Sequence, residues 1–326
     1  MGGGSWDTDR YVDSTRSRAA SKVPDFAYTT SAAAATSVHD TLDPIRIKDK
    51  VNHVLESRDS TEHPESNAVL VCFDVTGSNY ERAVDAQKKL PNLMALLQKY
   101  LKDPQVAIAA NDDVNYVHRR AVQISEFESD NRIDESIRNV NLVGAGGGND
   151  GESYDLLLYA AARKVALDCV EKRGKKGYMF MYADEPIFDQ VEPSAVLSIF
   201  GDTIQKPIPI AEIIEEARKN FEIYMVWPDG GYSHARKQYE QLFGEEYVLT
   251  SQHPNLICEL IASTIGMAEN KVTSVSDVKK DLLEIGASAT EAAAISKSLA
   301  LIAKNAPEVS KSEKLNPVGH GKASRL

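Results

Sequence analysis

A run of apolar residues that ends in an acid constrains the fold of this chain more than any other feature. Residues 68–73 read Ala-Val-Leu-Val-Cys-Phe, and Asp74 follows them directly. The run has the length and composition of a strand that is buried on both faces, and such strands belong to parallel sheets covered by helices. It therefore predicts an α/β protein with an acid at the carboxyl end of an inner strand.

Further strands and helices alternate along the chain after this run. Apolar stretches at 106–110, 121–124, 178–182 and 221–227 predict strands. Helical spacing of apolar residues predicts helices at 81–101, 151–170, 210–220 and 256–267. The alternation predicts a doubly wound, mostly parallel sheet of the Rossmann-like kind.

Composition divides the chain into three zones. Residues 1–65 are polar and rich in Ser, Thr and Ala, and they predict a flexible, largely irregular N-terminal arm with one short ordered element near 45–55. Residues 66–268 make up the predicted α/β domain. Residues 269–326 predict a helical appendix, with helices from 274 and at 291–304, and then a loose tail.

Charge and hydropathy argue against two classes of partner. The 326 residues carry 37 basic and 48 acidic side chains, a formal net charge of −11, whereas nucleic-acid binding needs a basic face. No segment approaches the roughly 20 apolar residues that span a bilayer, and the N-terminus lacks a secretion signal. We therefore expect a cytoplasmic protein with neither nucleic acid nor membrane as a partner. Its three cysteines, each in an apolar stretch, predict buried free thiols: Cys72, Cys169 and Cys258.

Oxygen-bearing side chains cluster where the predicted strands end. In a parallel sheet, ligands bind beyond the carboxyl ends of the strands. The candidates after two strands and in a glycine run at 144–152 are Asp74, Thr76, Ser78, Asn149, Asp150, Glu152, Asp184 and Glu185. Carboxylate, hydroxyl and amide oxygens suit Mg²⁺, Mn²⁺ or Ca²⁺ and not zinc, which takes His or Cys. The pattern predicts a divalent-cation site.

The glycine run does not predict a nucleotide site. A dinucleotide fingerprint would need glycine at position 149, which is Asn, and it would follow the first strand. The chain contains no G-x-x-x-x-G-K-[ST] sequence. Nucleotide binding is therefore disfavoured.

These loops resemble the metal-ion-dependent adhesion site of the von Willebrand factor A domain. The sequence Asp-Val-Thr-Gly-Ser at 74–78 is similar to its D-x-S-x-S element, with Thr76 as an equivalent of a serine. The glycine run is similar to the G-G-G-D-x-P-E loop of intracellular members, and Asp184 stands at the aspartate of the family's T-D-G. The resemblance covers residues 66–268. Within this range, the sequence looks particularly like that of the uncharacterised bacterial and phage members of the family.

The resemblance implies the site residue by residue. Metal ligation carries over to four positions: Asp74, Thr76, Ser78 and Asp184. The family's loop threonine is absent, and its substitute stays open among Asn149, Asp150 and Glu152. The usual glycine after the last aspartate is Glu185, either a further carboxylate or a turn residue.

The function that the resemblance implies is a binding module and not an enzyme. A carboxylate from a protein partner would complete the coordination of Mg²⁺. The module would act in a cytoplasmic or phage assembly, as a homo-oligomer or an assembly subunit. Two alternatives stay open. One is a metal-assisted phosphate-ester hydrolase using Asp184, Glu185 and Glu152, and the other is a structural subunit whose metal site only stabilises it.

Overall fold

The computed structural model describes residues 4–50, 52–77, 79–117, 120–142 and 151–300. The strands are β1 (Leu55–Ser57), β2 (Asn67–Asp74), β3 (Pro104–Asn111), β4 (Val122–Ile124), β5 (Val165–Leu167), β6 (Gly177–Tyr182), β7 (Gln190–Val191), β8 (Ile208–Pro209), β9 (Phe221–Pro228) and β10 (Val248–Ser251). The helices are α1 (Thr8–Ala20), α2 (Glu81–Tyr100), α3 (Val114–Val117), α4 (Arg132–Arg138), α5 (Tyr154–Arg163), α6 (Asp168–Arg173), α7 (Pro193–Phe200), α8 (Ile210–Ala217), α9 (Ser233–Phe243), α10 (Ile257–Ala268), α11 (Val275–Glu284) and α12 (Ala289–Ser298).

Six strands form the central sheet, in the order β10-β9-β6-β2-β3-β4. Neighbouring strands run parallel except β4, which is antiparallel to β3. The strands predicted at 68–73, 106–110, 121–124, 178–182 and 221–227 are confirmed as β2, β3, β4, β6 and β9. The α/β class and the doubly wound, mostly parallel sheet are confirmed as well.

Strand β2 shows why the sheet is covered on both faces. Successive side chains of a strand point to opposite faces. Leu70 and Cys72 lie in one buried cluster together with residues of α5 and α8. Val71 and Phe73 lie in a second cluster with residues of α2 and α10. A continuous apolar run thus supplies two cores at once.

The helix predicted at 151–170 is wrong as a single element. The structure has α5, then the short strand β5, and then α6. Strand β5 pairs in parallel with β1, with Leu55 opposite Val165 and Ser57 opposite Leu167. The helical pattern is interrupted because Val165-Ala-Leu167 finds hydrogen-bond partners in a distant segment, which local spacing does not reveal.

The N-terminal segment is not the flexible arm that its composition predicted. Helix α1 begins at an Asp7 cap, and the hydroxyl of Tyr11 donates to the main-chain oxygen of Gln87 at 2.8 Å. Arg18 pairs with Asp134 at 3.1 Å, and Ile47 is completely buried in the core. Contacts at Tyr11, Arg18 and Ile47 therefore hold parts of this segment against the domain.

Helices α11 and α12 form where the sequence predicted helices, and they join the main core. Val278, Leu282 and Ile295 are buried in the cluster that contains α2 and α10. The hydroxyl of Tyr100 on α2 donates to Asp281 on α11 at 2.6 Å. The end of the second predicted helix and the predicted loose tail lie outside the described residues.

The cysteine prediction is confirmed for all three thiols. Cys72, Cys169 and Cys258 are buried and unpaired. Burial raises the pKa of each thiol, which keeps it protonated and unreactive. Within the described ranges, no helix combines the length and the apolar character that crossing a membrane would require.

Candidate functional site

The carboxyl ends of β2, β3 and β6 bring the first candidate residues together. Asp74 is the last residue of β2 and lies opposite Asn111, the last residue of β3. Phe73 lies opposite Tyr182 on β6, and Asp184 follows two residues later. Adjacent parallel strands thus place Asp74 and Asp184 at the same edge of the sheet, as the sequence predicted.

Asp74 is wholly buried, and both its carboxylate oxygens accept hydrogen bonds. Its Oδ1 accepts from the main-chain nitrogen of Thr76 at 2.7 Å and from the Thr76 hydroxyl at 2.6 Å. Its Oδ2 accepts from the Tyr154 hydroxyl at 2.6 Å and from the Asn79 amide at 3.1 Å. The Asp-Val-Thr turn is therefore folded around its own acid, and Thr76 contacts Asp74 directly.

Asp184 adds a second negative charge beside Asp74. Burial and the neighbouring Asp184 together raise the pKa of Asp74 to about 7, against the lowering effect of Thr76 and Tyr154. Oδ1 of Asp184 is buried and has no hydrogen-bond partner in the described part of the chain. Buried oxygens of this kind are unusual, because an unpaired polar atom loses its hydration without replacement. The carboxyl groups of Asp74 and Asp184 therefore have no positive charge to balance them among the contacts described for them.

Further acids surround this pair. Glu152 is buried, and its Oε2 also lacks a partner among the described residues. Burial raises the pKa of Glu152 to about 9, with further contributions from Asp74, Asp113 and Asp112. Asp112 and Asp113 are themselves buried. The edge therefore concentrates several carboxyl groups in a poorly hydrated environment.

Sequence reasoning missed the residues that follow β3. Asn111 is buried with both its amide atoms unpaired within the described ranges, and Asp112 and Asp113 come directly after it. The signal was present, because these residues follow the strand predicted at 106–110 just as Asp74 follows the strand at 68–73. The rule that identified Asp74 would have found them.

Three predicted ligands cannot be placed. Ser78, Asn149 and Asp150 lie outside the described residues. Glu185 is described, and its main-chain oxygen accepts a hydrogen bond from the buried Tyr239 hydroxyl. The structure therefore brings together Asp74, Thr76 and Asp184 out of the predicted set.

The donor chemistry of this edge fits a hard divalent cation in part. The available atoms are carboxylate and hydroxyl oxygens, and two buried carboxylate oxygens, on Asp184 and Glu152, have no partner within the described chain. However, no three His, Cys, Asp or Glu side chains in the described ranges are arranged to hold a metal ion. An ion at this edge would therefore need hydroxyl or amide ligands as well, as the sequence predicted.

Comparison with known proteins assigns no family to the chain. No protein-family model matches the sequence, and no curated protein does. Several solved structures are similar in part. The pilus adhesin SpaC from Lactobacillus rhamnosus GG is 12% identical, with 69% of this chain and 31% of the adhesin covered and a TM-score of 0.42.

Two von Willebrand factor domains give similar values. The type A domain from Catenulispora acidiphila is 14% identical, with 63% of this chain and 43% of that chain covered and a TM-score of 0.38. The domain of the type V pili tip protein Mfa5 from Porphyromonas gingivalis is 11% identical, with 62% and 95% covered and a TM-score of 0.40. The chain thus spans less than a third of the SpaC structure, and its α/β assignment rests on its own strand order.

Proposed function

We propose that the protein is a binding module. The edge of its sheet at the carboxyl ends of β2, β3 and β6 would hold Mg²⁺, and the ion would recognise a carboxylate of a protein partner. The observation that carries the proposal is the buried, unpaired Oδ1 of Asp184 beside the buried Asp74, within the described residues. Two carboxyl groups in this position repel each other unless a cation or a proton lies between them. A divalent cation would remove that repulsion.

The proposed ligands are those that the sequence predicted. Asp74, Thr76 and Asp184 would contribute oxygens from the described part of the site. Ser78 and one residue of the glycine run would complete the protein's share. Glu152 is an additional candidate because its Oε2 is buried and unpaired within the described ranges. A bound ion supplies Lewis acidity and an open coordination position, which a partner carboxylate can occupy.

Calorimetric titration with MgCl₂, MnCl₂ and CaCl₂ tests the cation site. We expect binding to the metal-free protein, a large loss of affinity in Asp184→Asn, and no change in the matched control Glu245→Gln. Glu245 lies on an exposed turn before β10, away from the edge. Equal affinity in all three proteins would contradict the proposed site.

A second titration tests the binding function. A short peptide containing aspartate should shift backbone NMR signals of the loop after Asp74 when Mg²⁺ is present, and it should shift none with EDTA. Shifts of equal size under both conditions would contradict metal-dependent recognition. Magnesium-dependent hydrolysis of p-nitrophenyl phosphate that is lost in Glu185→Gln would replace the binding module with a phosphatase.

A further inference from the structure

A separate cavity of about 240 Å³ lies beside the first turn of α5. Asp155 from that turn lines it, together with Asp189 and Gln190 at β7 and Glu192, which precedes α7. We call it the Asp155 cavity. No Lys, Arg or His belongs to its described lining, so its ionisable groups are all acids.

Asp155 lies at the buried end of this cavity. Asp155 is only 3% exposed, and Oδ1 of its carboxyl group has no hydrogen-bond partner among the residues that the structure describes. Burial raises the pKa of Asp155 to about 8, the main-chain N–H groups of Leu156 and Asp155 act in the opposite direction, and the negative charges of Asp113 and Glu192 raise the pKa further. A buried carboxyl oxygen without a partner, such as Oδ1, is costly unless a donor or a cation reaches it.

Two further carboxylates lie at the exposed end. Asp189 and Glu192 are exposed, and the Gln190 amide donates to Glu192 at 2.6 Å. None of the ion pairs found in the described ranges includes Asp155, Asp189 or Glu192. The exposed acids of the cavity therefore carry negative charge without a protein cation in that part of the chain to balance it, whereas the raised pKa of Asp155 keeps this carboxyl largely protonated near neutral pH in the absence of a cation.

Apolar groups supply the remaining walls. Val114, Phe188 and Ala195 line the cavity. The Phe188 ring packs against the backbone of Gly151, where an added Cβ would lie 2.8 Å from ring carbons. Carboxylates combined with an aromatic ring and aliphatic walls suit an organic cation with an alkyl chain.

The lining argues for an organic cation over a metal ion here. A metal ion needs several oxygen ligands that converge on one point, whereas three of the lining side chains, Val114, Phe188 and Ala195, are apolar. An ammonium group needs no such convergence, because its three N–H donors can be satisfied by separate acceptors. One donor would reach Asp155, and others would reach the rim or water.

We propose that the Asp155 cavity binds a primary alkylammonium group, supplied either by a free amine or by a lysine side chain of a peptide. Its ammonium pairs with the unpaired oxygen of Asp155, and its methylenes contact Phe188 and Val114. This site shares no lining residue with the proposed cation site at Asp74 and Asp184, and we expect binding both with magnesium and with EDTA.

NMR titration of ¹⁵N-labelled full-length protein in EDTA tests the proposal. The probes are n-butylammonium chloride, the peptide acetyl-Gly-Lys-Gly-amide, and 1-butanol as an uncharged analogue of the amine. We expect the first residues of α5 and the segment after β6 to shift with at least one charged probe and not with butanol. Asp155→Asn keeps the side-chain shape and should weaken binding at least about tenfold, since one partner of a buried charge pair is lost.

Glu62→Gln is the matched control, because Glu62 is an exposed acid in the N-terminal segment, and it should bind like wild type. Thermal denaturation of Asp155→Asn confirms that the variant is folded before its affinity is read. Binding of butylammonium alone identifies a free amine as the ligand, and binding of the peptide alone identifies a lysine side chain. Equal shifts with butanol, no shift with either charged probe, or an unchanged affinity in Asp155→Asn would each overturn the proposal.

Discussion

The hydroxyl of Tyr154 donates a 2.6 Å hydrogen bond to Oδ2 of Asp74, although the two residues are 80 positions apart in the chain. Both residues are completely buried. The contact ties the start of α5 to the end of β2, and it orients the carboxylate at the centre of the candidate site. The edge of the sheet is thus organised by hydrogen bonds within the protein itself.

Removing this hydroxyl should destabilise the protein. In Tyr154→Phe, the Asn79 amide is the donor that remains to Oδ2 of Asp74 among the described residues. Losing a hydrogen bond to a buried acceptor costs about 1–3 kcal/mol, and we expect a loss of that size in urea unfolding. Tyr159→Phe is the matched control, because its hydroxyl donates to Asp202, which is partly exposed and can recruit water. Equal losses in both variants would show that burial of Asp74 is not what makes the first contact important.

The buried acids give the stability of the metal-free protein a pH dependence of definite sign. Burial raises the pKa of Asp74 to about 7 and that of Glu152 to about 9, whereas acids in unfolded chains titrate near pH 4. The folded state therefore binds more protons than the unfolded state between these limits, and the free energy of unfolding falls as pH rises through them. We expect urea unfolding in EDTA to show greater stability near pH 5 than near pH 8.

Glu152→Gln checks the origin of this slope. Of the two acids, Glu152 has the higher pKa, and the variant puts an uncharged side chain of similar shape in its place. The fall in stability towards alkaline pH should therefore be shallower. Glu245→Gln, on an exposed turn, should retain the wild-type slope. A stability that increases from acid to alkaline pH in the wild type would contradict the raised pKa values.

Ile47 tests whether the N-terminal segment is part of the folded unit. Its side chain is completely buried in the cluster that contains residues of α5 and α7. Ile47→Ala removes buried methylenes and should lower the free energy of unfolding by about 2–5 kcal/mol. Val23→Ala, at a position that is 47% exposed in the same segment, should change it little. A negligible effect of Ile47→Ala would mean that this segment does not contribute to the core in solution.

The central sheet was predictable because its signals are local. The strands β2, β6 and β9 are apolar runs with clear ends, and Asp74 and Asp184 lie at or within two residues of the ends of β2 and β6. Periodicity does not report which strands pair or which distant side chains fill gaps. Helices α7 and α9 and strand β10 were not predicted, although the buried residues of α7 have helical spacing: Ala195, Val196, Ile199 and Phe200.

The candidate site divides in the same way. Asp74 and Asp184 could be predicted, because the sequence shows where each parallel strand ends, and the ends of neighbouring parallel strands lie at the same edge of the sheet. The role of Tyr154 could not, because its hydroxyl reaches Asp74 only after α5 packs against the sheet. The cost of burying Asp155 was equally hidden, since an acid in the first turn of a helix ordinarily indicates a favourable contact with the helix dipole.

Gly266 on α10 offers a test in which helix propensity and packing oppose each other. Alanine favours a helix over glycine by about 1 kcal/mol. A Cβ at Gly266, however, would lie 2.8 Å from the ring of Tyr100, whose hydroxyl is held by Asp281. Overpacking a core typically costs about 1–3 kcal/mol, so we expect Gly266→Ala to be destabilised in urea unfolding.

The neighbouring ring provides the control for this prediction. In a Tyr100→Leu background the smaller side chain leaves room for the added methyl group, and Gly266→Ala should then cost less than it does in the wild type. The difference between the two costs measures the coupling of the two positions, as expected for residues in direct contact. Stabilisation by Gly266→Ala in the wild type would mean that α2 and α10 can separate locally, and that their close approach at Tyr100 does not limit the packing.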